Sequence, residues 1–301
     1  MENVFYLGFE PTFMEWLQNF MNPFVKTLFV GITNFGESSV LIVILGFLYW
    51  SYDKEYGKFV GTNMVIGVVA CAMAKNAVCR IRPYMAHENV QCFKKPDSSA
   101  KLYDVSGQGY SFPSGHSTNS ALAYGSLSLY KPEVKWLRVC AIVVPLLVGF
   151  SRIMVGAHYP TDVLAGLVFG TIILFVVSYF QKKLERKWIL HIVIVALSLL
   201  GVFYCNTDEY FTGLGIIIGF FAAINFEEKV VKFENPTTWP QRIIRLVLGI
   251  MIYSLLNMVL KKILPGGGDV LEHCMRVLRY AIDLFVMIGI YPMVFKVMDR
   301  R

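Results

Sequence analysis

Apolar residues come in long runs along nearly the whole chain, near 38–52, 59–78, 116–130, 137–151, 162–180, 188–204, 211–225, 243–263 and 276–295, with short polar loops between them. Runs of this kind read as helices in a bilayer, which presents about 30 Å of hydrocarbon. Several are short for that thickness, so their helices extend into the flanking residues. The pattern predicts an all-α fold, a polytopic membrane helical bundle of about nine transmembrane helices. Ahead of the runs, Phe13, Trp16, Leu17, Phe20, Phe24, Leu28 and Ile32 fall at helical spacing from Pro11 to Asn34. Glu15, Gln18, Asn19, Asn22 and Lys26 interleave, and Asn22-Pro23 interrupts the helix. This is an amphipathic interfacial segment that lies on the membrane, or an ordinary packing helix, and the two can coexist. Three parts follow: an N-terminal segment over 1–36, a core over 37–182 and a C-terminal four-span extension over 183–301.

If Gly36-Glu37 lies outside, alternation puts Asp53–Lys58, Lys131–Arg138, Lys182–Lys187, Glu227–Arg242 and Arg300-Arg301 inside, and each carries Lys or Arg. The opposite loops at Asn206–Tyr210 and Pro265–Asp269 carry none. That is the charge bias of cytoplasmic loops, with the C-terminus inside. The exception is the outer stretch containing Lys75, Arg80, Arg82, Lys94, Lys95 and Lys101. A basic outer loop needs another use, and binding an anion is the simplest one. Lys261, Lys262, His273, Arg276, Arg279 and Asp283, near the last two runs, are unusual at membrane depth; they read as snorkelling or paired residues, or as a gate for substrate.

Composition agrees with a membrane protein: 55% of the 301 residues are hydrophobic, 16% are charged and the mean hydropathy is +0.53. The net charge of +7 sits in short loops, so nucleic-acid binding is not expected. Glu2 and Glu10 precede the first basic residue, Lys26, so the start does not read as a secretory leader. The six cysteines have neither C-x-x-C nor metal-ligand spacing, although Cys79 and Cys92 flank one loop and could be bridged.

Three polar pieces stand at the ends of apolar runs: Lys75 to Pro83, Gly109 to His116 and Ser151 to Asp162. Brought to one membrane face, they would make a basic pocket with two imidazoles and a carboxylate. Lys75, Arg82 and Arg152 supply cations for a phosphate, whose oxygens match guanidinium forks. Pro113-Ser114-Gly115-His116 opens a helix, where backbone N–H groups face an anion and Gly115 permits its close approach. His158 stands four residues before Asp162, one helical turn, so the carboxylate can hold one ring nitrogen and leave the other to attack phosphorus. His116, beside the cradle, can protonate the leaving oxygen. Each piece alone has an ordinary account as an interfacial anchor, a helix-starting turn or a structural histidine. Together they point to phosphoryl chemistry.

These pieces resemble, without a gap or substitution, the three-part signature of the type 2 phosphatidic acid phosphatase and haloperoxidase superfamily. Its parts are K-x6-R-P (Lys75 to Arg82-Pro83), P-S-G-H (Pro113 to His116) and S-R-x5-H-x3-D (Ser151-Arg152, His158 and Asp162). The resemblance covers roughly residues 38–182. It implies phosphate binding by Lys75, Arg82, Ser114, Gly115 and Arg152, a nucleophile in His158, an orienting carboxylate in Asp162 and a general acid in His116. It also implies no metal and no cofactor. The nine-span plan is similar to that of sphingosine-1-phosphate phosphatases and glucose-6-phosphatases, although many of the former have Thr at the place of Gly115.

The function expected is an integral-membrane, metal-independent phosphatase acting on a lipid phosphomonoester through a phosphohistidine, with its site facing outside or the lumen. Its membrane would be the cell membrane of a bacterium or the endoplasmic reticulum of a eukaryote. An isoprenoid (undecaprenyl) pyrophosphate is the main rival substrate, followed by a sugar phosphate. A lipid transporter or flippase and a vanadate haloperoxidase are the readings from other classes.

Overall fold

The structure, a computed structural model, describes residues 4–98, 100–264 and 270–295. All regular elements among them are helical. The loop at 265–269 and Arg300-Arg301, used above for topology, lie outside the described residues.

The chain begins with α1 (Glu10–Gln18) and α2 (Pro23–Thr33), separated where the sequence places its break. Asn22 caps α2, its side chain accepting from Val25 N at 2.9 Å, and Pro23 takes the first helical position, where no N–H is needed. After α3 (Ser38–Gly46) and a wider turn over Phe47–Tyr52, Asp53 caps the long α4 (Lys54–Val78) through the N–H groups of Glu55 and Tyr56. Two short helices, α5 (Pro83–Ala86) and α6 (Val105–Gln108), lie in the outer stretch. The core is completed by α7 (Gly115–Tyr130), α8 (Lys135–Met154) and α9 (Pro160–Lys183). The extension adds α10 (Lys187–Leu199), α11 (Asp208–Phe226), α12 (Trp239–Ile263) and α13 (Val270–Leu284), the last continued by wider and tighter turns to Val294.

Among the described residues five helices are long and apolar enough to cross a membrane: α4, α8, α9, α12 and α13 with its continuation. The α2–α3 pair, bent by 47°, would make a sixth. The expected count of nine is therefore not reached. The run at 116–130 lies in α7, whose 16 residues span about 24 Å at 1.5 Å each. The run at 188–204 lies in α10, with 13 residues and a short tight turn. The run at 211–225 is α11, which is buried along most of its length between α4, α10 and α13. Hydropathy responds alike to burial in lipid and to burial in protein, so by itself it does not separate a spanning helix from an enclosed one.

The amphipathic segment packs against the core along one face and leaves its aromatic face exposed. Met14 and Leu17 pack into a cluster with Val90, Ile153, Met154, Tyr159 and Val163, while Phe13, Trp16, Phe20 and Phe24 face outward. The largest apolar core joins α4 and α11 to the turns around Trp50 and Met287, so core and extension share one interior.

Small residues set how closely α9 approaches α7. A Cβ at Gly166 would stand 2.6 Å from Ser114 O, and one at Gly170 would stand 2.8 Å from Thr118 O. Thr118 Oγ1 also donates to Gly166 O at 3.1 Å. This contact seats the start of α9 against the start of α7. Gly166→Val should therefore lower stability by about 1–3 kcal/mol through overpacking and reduce turnover with it. Thermal unfolding in detergent and phosphate release, measured on the same preparation, check this.

Candidate active site

Backbone hydrogen bonds tie the three polar pieces together. Ser111 N donates to Arg80 O at 2.8 Å, and Ser114 N donates to Asp162 O at 3.0 Å. The first piece turns sharply at Cys79, a non-glycine residue in the left-handed region at φ 55°, which ends α4 and redirects the chain. In the third piece Gly156 (φ 76°) makes the turn into His158, and a Cβ there would collide with Gln91 O. Cys79 and Cys92 are free thiols in the structure.

The convergence produces a cavity of about 330 Å³ lined by Lys75, Arg82, Gly115, His116 and His158. Ser114, Arg152 and Asp162 are fully buried behind this lining. Ser114 acts as the cap of α7: its Oγ accepts from Ser117 Oγ at 3.0 Å and lies 3.4 Å from Ser117 N. Gly115 faces Lys75 and Glu209 across the cavity: a Cβ there would stand 3.4 Å from Lys75 Nζ and 3.6 Å from Glu209 Oε1, in the space next to the cation.

His158 is held in one tautomer. Arg82 Nη1 lies 3.2 Å from Nε2, and a guanidinium has only donors, so Nε2 must be the accepting, unprotonated nitrogen. The proton then sits on Nδ1, 3.3 Å from Ser111 Oγ and 3.5 Å from Asp162 Oδ2. Ser111 Oγ donates in turn to Asp162 Oδ2 at 2.5 Å. Asp162 thus reaches the ring as much through Ser111 as directly. Burial, with the guanidiniums of Arg82 and Arg152 nearby, pushes the His158 pKa well down, so its ring stays neutral at ordinary pH. An imidazole with a bare Nε2 and a fixed Nδ1–H is a nucleophile.

The cations are committed unequally. Arg82 spends most of its donors on the carbonyls of Gln108, Gly109 and Ala157 and on His158. Arg152 donates from Nη1 to Thr33 Oγ1 at 2.9 Å, while its buried Nε and Nη2 have no partner among the described residues. Those two N–H groups form the fork that matches a phosphate edge. His116 Nε2 lies 3.8 Å from Glu37 Oε1, and Lys94 Nζ is 2.6 Å from the same oxygen. The His116 ring and the Lys94 ammonium hold the Glu37 carboxyl down at about 2, so it carries its charge.

Residues 57–186 match the family model described as the PAP2 superfamily, and residues 211–300 match one described as a PAP2 superfamily phosphatase, transmembrane extension. Phosphatidylglycerophosphatase B of Bacillus subtilis is 30% identical over 180 residues, which cover 54% of this chain and 79% of that protein. The chain belongs to the PAP2 superfamily. Lipid A 1-phosphatase of Rhizobium etli is 32% identical over 48% of this chain and 67% of its own length. Undecaprenyl-diphosphatase of Sulfolobus acidocaldarius is 28% identical over 53% of this chain and 74% of its own length.

Around the PAP2 signature the structure adds five residues that the sequence reading did not assign. Arg80 is fully buried, with Nη1 2.6 Å from Asp162 Oδ1 and Nη2 3.0 Å from Glu10 Oε2. Glu10 also accepts from Thr161 N and Oγ1, which fastens the N-terminal segment to the start of α9. Ser111 bridges Asp162 and His158, and Glu37 faces His116. Glu209, at the start of α11, places its two carboxylate oxygens 2.9 and 2.8 Å from Lys75 Nζ. A second arginine at Arg80, two residues from Arg82, was the one local signal. The others lie outside the three pieces or have no marked spacing.

Two outcomes follow for this PAP2 site. Glu37→Gln removes the carboxylate that faces His116 and pairs with Lys94, so kcat should fall several-fold. An unchanged kcat in steady-state assays would separate Glu37 from the site. Glu209→Gln should lower KM several-fold, because a carboxylate and a phosphate compete for the same Lys75 ammonium; substrate titration of the two proteins measures it.

Proposed function

We propose that this PAP2 protein, an integral-membrane phosphoric ester hydrolase, removes phosphate from a lipid phosphomonoester through a phosphohistidine at His158. The carrying observation is the His158 ring, neutral and bare at Nε2, inside a cavity that also holds Lys75, Arg82 and His116. The Nε2 lone pair forms the P–N bond as the bond from phosphorus to the lipid oxygen breaks. His116 gives its proton to that oxygen. Water then attacks the phosphohistidine, His116 takes the proton from the water, and inorganic phosphate leaves. Asp162 and Ser111 hold the Nδ1–H throughout, and Lys75, Gly115, Arg82 and Arg152 stabilise the phosphoryl oxygens, with Ser114 fixing the turn that presents them. Fixed cations and N–H groups cover the charge of the transition state, which supports a reaction that runs without a metal or cofactor.

A membrane lipid suits a site at the ends of membrane helices. The basic loops at Lys131–Arg138 and Lys182–Lys187 stand at the opposite ends of α7, α8 and α9, which supports a site on the non-cytoplasmic face. One curated relative is named for a diphosphate substrate. In this chain, however, Glu37, Asp208 and Glu209 all line the cavity, and Arg276 is already paired to Asp208 at 2.6 Å. A second phosphate would meet carboxylates, so the monoester is favoured over an isoprenoid pyrophosphate. A sugar phosphate gains nothing from the apolar surroundings.

Purified protein in detergent should release phosphate from lipid monoesters in preference to diphosphates and soluble sugar phosphates. Activity confined to sugar phosphates would remove the lipid claim. His158→Ala should abolish turnover and covalent labelling by phosphate, His116→Ala should leave little turnover, and EDTA should change the rate little. A strict requirement for a divalent metal would falsify this mechanism.

A further inference from the structure

The cavity at the candidate site does not end at its polar lining. A second, apolar cavity of about 120 Å³ adjoins it, and Ser38, Val68, Asn119, Ile216 and Tyr280 line both. From that junction it descends between the core and the extension, walled by Leu41 and Leu45 of α3, Val65 of α4, Ile250 of α12, and Leu284 and Met287. The wall formed by α3 runs from Ser38 to Gly46, eight steps of 1.5 Å or about 12 Å of depth. Trp50 closes the far end. Its ring is wedged between Gly46 and Gly249, where a Cβ would stand 2.6 and 2.5 Å from it, and its indole N–H donates to Met287 O at 3.1 Å.

We infer that this slot binds one aliphatic chain of the substrate, and that the C-terminal extension serves to build it. The inference rests on the lipid phosphatase reading above. Four observations carry it. The slot shares five lining residues with the phosphate site, so a chain linked to the phosphate can pass from one to the other at that junction. Its deeper walls are hydrocarbon and indole, which exclude a hydrated or charged group. Its volume, about 120 Å³ against about 330 Å³ for the phosphate cavity, makes it the smaller and more apolar of the two. At the junction, the Asn119 Oδ1 is buried without a hydrogen-bond partner among the described residues, placed to accept from a hydroxyl or amide N–H near the phosphate end of the lipid. The slot has a fixed floor and its walls come from both halves of the chain. Chain length is therefore read by the joint between them, while the chemistry belongs to the core alone.

Single-chain alkyl phosphates test this, with hexadecyl and butyl phosphate compared in mixed micelles. Met287→Trp, which fills the slot, should lower kcat/KM for hexadecyl phosphate about tenfold relative to butyl phosphate. An equal change on both substrates, or no change on either, would overturn the slot. Because a filling variant could fail to fold, the wild-type chain is also labelled with a hexadecyl phosphonate carrying a photoreactive group at its chain end. Labelling at Trp50 or Met287, displaced by hexadecyl phosphate, supports the slot; labelling confined to the outward face of α12 rejects it. If the wild-type protein hydrolyses neither phosphate but the probe labels Trp50, the slot stands and the phosphatase reading falls.

Discussion

The arrangement depends on one buried cation. Arg80 has no access to solvent, and a guanidinium in that position is tolerated only with opposite charge and hydrogen bonds around it. Asp162, Glu10, Thr161 Oγ1 and the Phe5 carbonyl supply them, and the rings of Phe5 and Tyr159 lie over its faces at 4.6 and 4.1 Å. The same contact joins three distant parts of the chain: the N-terminal segment, the turn after α4 and the first turn of α9. Removing Arg80 would leave two buried carboxylates unpaired. Asp162 is therefore not simply the partner of a histidine. It is the point where the charge that holds the fold meets the proton that fixes His158.

The extension makes a parallel contact on the other side of the cavity. Lys75 comes from α4 and Glu209 from α11, and with no phosphate bound the carboxylate satisfies an ammonium whose side chain is almost wholly buried. A carboxylate supplied from the extension thus neutralises a cation supplied from the core. Asp208 and Arg276 form a second pair on the same wall. The core holds the signature residues, while the extension sets the charge and the shape of the space in front of them.

What could be read from the sequence follows from this division. Lys75, Arg82, the Pro113–His116 turn, Arg152, His158 and Asp162 were legible because each piece is local, with residue types at spacings that phosphoryl chemistry requires. The structure brings the pieces together by backbone hydrogen bonds that no spacing reveals. Arg80 and Asp162 are 82 residues apart and Lys75 and Glu209 are 134 apart, so those pairs exist only once helices have packed. The break at Asn22-Pro23 was legible because Pro removes a donor and Asn replaces it with a cap. The number of spans is less legible, because α11 is apolar while packed against protein, so apolarity alone does not mark which helices reach both faces.

The two imidazoles of the site meet different surroundings. His158 sits between arginines, so a second positive charge on its ring is disfavoured and Nε2 keeps its lone pair. Its nearest carboxylate lies on the far side, at Nδ1, where it fixes the tautomer and leaves Nε2 bare. His116 instead faces Glu37 across 3.8 Å, a carboxylate held down at about 2 and so charged at any working pH. The two rings therefore meet opposite charges, guanidiniums at His158 and a carboxylate at His116. Lys94, 2.6 Å from the same Glu37 oxygen, offsets that carboxylate in part and fixes where it points.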